Sequence, residues 1–216
     1  MALMDQLPKD VQRKIYSNFL FRNFLDCFQS FFSLPNHQSP HRFSYFTWND
    51  VPYQNFMVFI MQNLEPIKYE PGQIIFYELD CVDTVQFFMQ GEIDIGYEVN
   101  RQIRYKIRLH CPLILGGFEC SFNRRSQQFY KAKNFTSGYM IRKKYYTEIQ
   151  NEWPGIYVLI KKKNILFYQK YIRTKINILK RQDIKIFEQR ADYKQVTCLR
   201  ADFEDDIDLL HAEIIA

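Results

Sequence analysis

Apolar residues recur at three- and four-residue intervals near the start of the chain: Val11, Ile15 and Phe19, then Leu20, Phe24, Phe28 and Phe31. This spacing predicts one or two amphipathic helices that end near Leu34-Pro35. Leu7-Pro8-Lys9-Asp10-Val11 opens them, because proline fits a first helical turn whose N–H has no partner within the helix. Asn36 to Asp50 reads as a loop. Val51 to Leu64 predicts a further helix, with Phe56, Phe59, Ile60 and Leu64 on one face.

The pattern changes over 67–141. Short apolar segments (Ile67 to Tyr69, Ile74 to Tyr77, Val85 to Met89, Ile93 to Tyr97, Ile103 to Leu109) are separated by turn signals at Pro71-Gly72, Leu79 to Asp83, Gln90-Gly91 and Asn100-Arg101. Evenly spaced short strands with no room for crossover helices predict an antiparallel barrel or double-sheet roll. Gln102, Arg104, Lys106 and Arg108 alternate with Ile103, Tyr105, Ile107 and Leu109, which predicts a strand with one face in the core. Phe135 to Ile141 reads as the closing strand. Helical spacing returns with Tyr145, Ile149, Trp153, Tyr157 and Ile160 and continues through Ile165, Phe167, Tyr168, Ile172, Ile176 and Leu179, with a break at Pro154-Gly155. A long basic helix is expected from Ile156 to Gln189. The predicted class is α+β: an antiparallel jelly-roll between N-terminal and C-terminal helices. The divisions are 6–64 (helical), 65–143 (roll), 144–189 (helices) and 190–216 (an acidic tail).

Composition adds modest constraints. The 216 residues carry a net charge of +5, unevenly spread. Lys161 to Lys194 is basic, whereas Asp202 to Glu213 holds acids and no Lys or Arg. Such asymmetry suits an acidic lipid or an acidic protein partner, or two solvated helix faces that attract each other. Five scattered cysteines without a CxxC spacing indicate buried thiols in a reducing compartment. The first residues lack the basic and apolar regions of a signal peptide, and no segment reaches the roughly 20 apolar residues of a membrane span. A cytoplasmic protein is expected.

The segment Gly116-Gly117-Phe118-Glu119, followed by Arg124-Arg125-Ser126-Gln127-Gln128, is the one stretch with the makings of a ligand site. Adjacent glycines before a short helix can expose backbone N–H groups to an anion. Glu119 could hold a ribose hydroxyl, and Arg124 or Arg125 a phosphate. The competing reading is a tight turn with both arginines in water. No enzyme is expected. The four histidines lack ligand spacing, no Gly-x-Ser-x-Gly elbow or Gly-Lys-Ser/Thr loop occurs, and paired carboxylates are confined to Asp202 to Asp208. A nucleic-acid partner is not expected either, since no helix-turn-helix follows the roll.

The order of these features resembles the cyclic nucleotide-binding domain family. The residues that carry the likeness are Tyr69-x-Pro71-Gly72-x-Ile74-Ile75-Phe76, Asp80, Asp83 and Phe87-Phe88-Met89-x-x-Gly91-x-Ile93-x-Ile95. More narrowly, the chain resembles the cytoplasmic tail of cyclic-nucleotide-regulated and voltage-gated cation (potassium) channels in a form common in ciliates. Residues 6–64 would then be the helical linker and 144–180 the lid. The resemblance implies a regulatory module with cAMP or cGMP as ligand. It also implies channel subunits or a pore domain as partners, assembly into a homo-oligomer through the linker, and a place at the cytoplasmic face of a membrane or in a cilium. In the family the ligand cassette runs Phe-Gly-Glu, a short helix, then Arg before a small residue; the Glu meets the ribose 2′-hydroxyl and the Arg the cyclic phosphate. This chain departs from that pattern. If Gly116 takes the family glycine, the acid's place falls on Gly117; if Glu119 takes the acid, Phe118 replaces the glycine. The arginine's place falls on Ser126, Gln127 or Gln128, with Arg124 and Arg125 slightly early. A degenerate nucleotide site is therefore expected. The alternatives are a structural or interaction protein that reuses the roll, for instance a ciliary scaffold, and a regulator of another enzyme.

Overall fold

A computed structural model of the chain describes residues 6–35, 45–99, 102–179 and 181. The acidic segment 190–216, the residues 36–44 and the basic stretch beyond Arg181 lie outside the described residues. Two compact units part between Gln169 and Lys170. In the second, helix continues to residue 179 and Ile172 and Ile176 are buried.

The first unit begins with α1 (Lys9–Ile15), a π-helical turn (Tyr16–Leu20), α2 (Arg22–Cys27) and α3 (Gln29–Phe32). The wider π turn, closed by the Phe21 N–H donating to the Tyr16 carbonyl at 2.8 Å, moves the apolar stripe. Gln12 and Tyr16 are buried ahead of it, and Phe24, Phe28 and Phe32 after it. Phe19 and Leu20, expected on the buried face, are instead 79% and 56% exposed. Regular 3.6-residue spacing could not show this, because one extra residue per turn rotates all that follows.

Helix α4 (Val51–Gln62) leads into eight strands: β1 (Glu65–Tyr69), β2 (Ile74–Phe76), β3 (Thr84–Gln90), β4 (Glu92–Val99), β5 (Gln102–His110), β6 (Leu113–Leu115), β7 (Phe129–Ala132) and β8 (Thr136–Arg142). All pairings are antiparallel, in two four-stranded sheets ordered β1-β8-β3-β6 and β2-β7-β4-β5. This is the jelly-roll-like core that the strand spacing predicts. Gly72 and Gly91, predicted as turn residues, have φ of 87° and 106°. The short strands β6 and β7 flank the glycine-rich segment and were not expected as strands.

Alternation along β5 fails at one point. Ile95 pairs with Ile107 but Gly96 with Tyr105, so Lys106 is the extra residue of a bulge. Beyond it the faces exchange: Ile107 and Leu109 are buried while Ile103 is exposed. A lysine at a bulge also discourages another chain from pairing with this edge strand, as Pro66 does on edge strand β1.

Strand β3 is buried on both sides, which explains its adjacent phenylalanines. Successive side chains on a strand point to opposite faces. Phe88 contacts Tyr69 within the roll at 5.9 Å between ring centroids. Phe87 faces the N-terminal helices, 5.4 Å from Phe24, 5.2 Å from Phe28 and 6.0 Å from Phe32. Tyr139 of β8 adds a ring 5.8 Å from Phe24. Beyond area burial, each such pair contributes about 0.5–1.5 kcal/mol.

The unit closes with α5 (Gly117–Phe122), between β6 and β7, and with α6 (Lys143–Glu152) and α7 (Pro154–Tyr168), which are split at the predicted Pro154. Trp153 at their junction packs on Phe56 and Phe59 of α4. Lys163 of α7 donates to the carbonyls of Ser30 and Ser33 at the end of α3, and its partial burial holds its pKa below the usual lysine range.

Phe24→Ala should remove about 3–5 kcal/mol of stability by opening a cavity beneath Phe87. Urea unfolding should show this as a lower midpoint at unchanged slope; a loss under about 1 kcal/mol would mean that the helices do not share the core of the roll.

Candidate functional site

The candidate cassette is built around a corner. Strand β6 is buried throughout and ends at Gly116, whose φ of 76° and ψ of −8° are left-handed. A Cβ there would overlap the Thr84 carbonyl and approach Val82 Cγ1 to 3.0 Å, so only glycine lets the chain turn here. Helix α5 starts at the next residue and ends at Asn123, itself left-handed (φ 52°), whose Oδ1 accepts from Lys143 Nζ at 2.7 Å. The chain then runs beside the turn at 79–81. Cys81 bridges Arg125, the Ser126 N–H donates to the Asp80 carbonyl, and the Leu79 N–H donates to the Ser126 carbonyl.

Of the five residues proposed from sequence, Gly116, Gly117 and Glu119 share this corner and the first turn of α5. Arg124 and Arg125 follow the helix and are exposed. The Arg125 guanidinium donates to the Leu79 carbonyl at 3.3 Å. Ser126 is fully buried, and its hydroxyl donates to the Gln128 carbonyl at 2.7 Å.

Glu119 is only 4% exposed. Burial raises its pKa from 4.5 to about 7, opposed weakly by a hydrogen bond from its own N–H. A carboxyl in such a site is favoured as the neutral acid. Buried Tyr130 lies close enough for the Glu119 charge to disfavour the phenolate, and its hydroxyl donates to Gln128 Oε1 at 3.2 Å.

The lid helix α7 lies directly on the cassette. The Tyr168 ring stacks on Phe118 with centroids 4.1 Å apart and planes 7° from parallel. Its hydroxyl is 3.1 Å from Gln127 Oε1 and 3.3 Å from Gln128 Oε1. One helical turn earlier, Asn164 Nδ2 donates to Tyr146 Oη at 2.7 Å and to Ser121 Oγ at 3.1 Å. Ser121 Oγ lies 2.6 Å from the Gly117 carbonyl and 2.9 Å from Tyr146 Oη. Lys161 Nζ lies 4.3 Å from the Phe122 ring centroid. These lid residues were not singled out from sequence as site residues. The available signal was Asn164, a polar residue four positions from both Ile160 and Tyr168 on the face predicted to be buried.

Among the described residues, no group of three or more His, Cys, Asp or Glu is placed to hold a metal ion. No helix among them is long and apolar enough to cross a membrane.

No protein-family model and no curated protein matches this sequence. Solved structures do. A cyclic nucleotide-binding domain from Methylobacillus flagellatus KT superposes with a TM-score of 0.56 at 12% identity, covering 74% of this chain and 85% of that one. The regulatory subunit of a cAMP-independent protein kinase A from Trypanosoma brucei superposes with a TM-score of 0.50 at 12% identity. There 77% of this chain is covered, but only 50% of the trypanosomal one. A triple mutant of that subunit bound to cAMP in its A site gives a TM-score of 0.50 at 13% identity, with coverage of 78% and 53%. The chain therefore has a cyclic-nucleotide-binding-domain-like fold, with N-terminal helices, jelly-roll-like core and C-terminal helices in the arrangement of such domains.

Because the folded state holds the Glu119 proton more tightly than the unfolded chain, this group's contribution to stability is full below pH 4.5 and is lost as pH rises through about 7. The loss amounts to about 3 kcal/mol. Urea titrations from acid to mildly alkaline pH should show it in the wild type and not in Glu119→Gln. Equal slopes in both proteins would mean that the carboxyl is ionised and solvated.

Proposed function

We propose that the chain is a regulatory-type interaction module that uses a cyclic-nucleotide-binding-like roll as its scaffold and works without bound nucleotide. The observation that carries this reading is what stands in the two charged places of the resembling cassette. Gly116 makes the corner before the short helix, so the acid's place falls on Gly117, which has no side chain. Ten residues after Gly116 comes Ser126, a buried hydroxyl already bonded to the Gln128 carbonyl. A charge-assisted hydrogen bond contributes about 1.5–3 kcal/mol, and burying a phosphodiester with no cation beside it costs more than neutral donors return. Loss of the arginine alone would weaken binding by one to several powers of ten.

The narrower reading, a linker and roll from a cation channel, draws on Leu7-Pro8 and the helical segment after it. Here that segment buries Phe24, Phe28 and Phe32 against the roll of its own chain. This favours a self-contained module that engages a protein partner over a linker given to neighbouring subunits. The trypanosomal subunit offers a parallel. It is described as cAMP-independent, and its cAMP-bound form carries three substitutions, one of them threonine to arginine.

Calorimetric titration of the protein with cAMP and with cGMP tests the proposal. No heat of binding is expected up to about 1 mM nucleotide. A dissociation constant at or below about 10 μM would overturn it. In that event Arg125→Ala should weaken binding at least about tenfold if Arg125 is the phosphate clamp.

A further inference from the structure

Gly116 and Gly117 are neighbours that answer to different constraints. Gly116 is required by its left-handed backbone and by the Thr84 carbonyl behind it. Gly117 has no such demand: it is the first residue of α5, where any side chain could be carried and where glycine is a poor helix former. What it answers to is Asn164. A Cβ on Gly117 would lie 2.5 Å from Asn164 Oδ1 and 2.9 Å from its Cγ, closer than packed atoms approach. Asn164 is itself buried between Ile160 and Ile165, where an amide is tolerated only when its polar atoms are satisfied. Its Nδ2 meets both Ser121 Oγ and Tyr146 Oη, so α5, α6 and α7 converge on one amide. One turn further along the same face, Tyr168 stacks on Phe118.

We infer that Gly117 and Asn164 form a latch that holds α7 closed on the cassette with no ligand between them, an autoinhibitory contact built into the fold. This rests on the nucleotide-free reading of the cassette. The α7 face that could cap a small molecule is committed to the protein itself. Asn164 fastens the middle of α7, and Tyr168 fastens its end. The latch exists because residue 117 has no side chain. Any other residue there, including the acid of the resembling cassettes, would push Asn164 out and strip its two acceptors of their donor.

Amide hydrogen exchange on the intact protein tests the latch. Gly117→Ala should speed exchange across 156–168 at least about tenfold, the loss expected when one to two buried hydrogen bonds break, and leave β3 and β8 as in the wild type. Placed on an Asn164→Ala background, the same change should alter exchange less than about twofold, because the atoms it collides with are gone. The latch is refuted if Gly117→Ala leaves α7 protection unchanged. It is refuted equally if the effect is as large without the Asn164 side chain as with it. Nucleotide titration separates the two claims: wild-type protein that binds cAMP and also shows these exchange results would sink the nucleotide-free reading while upholding the latch.

Discussion

Phe87 stands where the helices and the roll meet. Its ring touches Phe24, Phe28, Phe31 and Phe32, while its backbone pairs with β6 on one side and β8 on the other. One strand thereby supports two apolar layers, and the N-terminal helices cannot leave without exposing several rings at once. Burial of a phenylalanine side chain is worth about 1.5–3 kcal/mol, so this cluster is large against the 5–15 kcal/mol by which folded domains are usually stable. The cassette depends on it too, because β3 also supplies the Thr84 carbonyl against which Gly116 makes its corner.

Around that corner the chemistry has moved from charge to neutral hydrogen bonding. The buried groups are Ser121, Ser126, Gln128, Tyr130, Tyr146 and Asn164, with Glu119 favoured as the neutral acid by burial. No buried side-chain nitrogen or oxygen among the described residues lacks a partner. A site made to receive a charged ligand would keep a cation waiting; this one is satisfied as it stands. Half-satisfied polar interiors are unstable, whereas fully satisfied ones fix a single arrangement. The lid position is accordingly specified by the protein's own donors and acceptors.

Much of the fold was legible in the sequence because it is encoded locally. The Pro-Gly turn, Gly91 and the Phe87-Phe88 doublet mark strand ends and a doubly buried strand, and Pro154 divides the terminal helices. The misreadings share one cause. The π turn at Tyr16–Leu20 and the bulge at Lys106 each add a residue, which rotates or flips the side chains that follow, so Phe19, Leu20 and Ile103 face outward. A fixed period cannot register an insertion that only the neighbouring elements require. The three- and four-residue strands β6 and β7 are too short to show a period at all.

The sequence by itself determined where the roll turns, which rings fill it and that the cassette lacks its customary charges, since each is a matter of residue type at a position. Only the tertiary structure decided what occupies the cassette instead. Asn164 and Tyr168 are distant from Gly117 and Phe118 along the chain, and neither has a ligand's character when read alone. They reach the site because α7 folds back over α5, and the absence of a Cβ on Gly117 leaves an opening that one side chain fits.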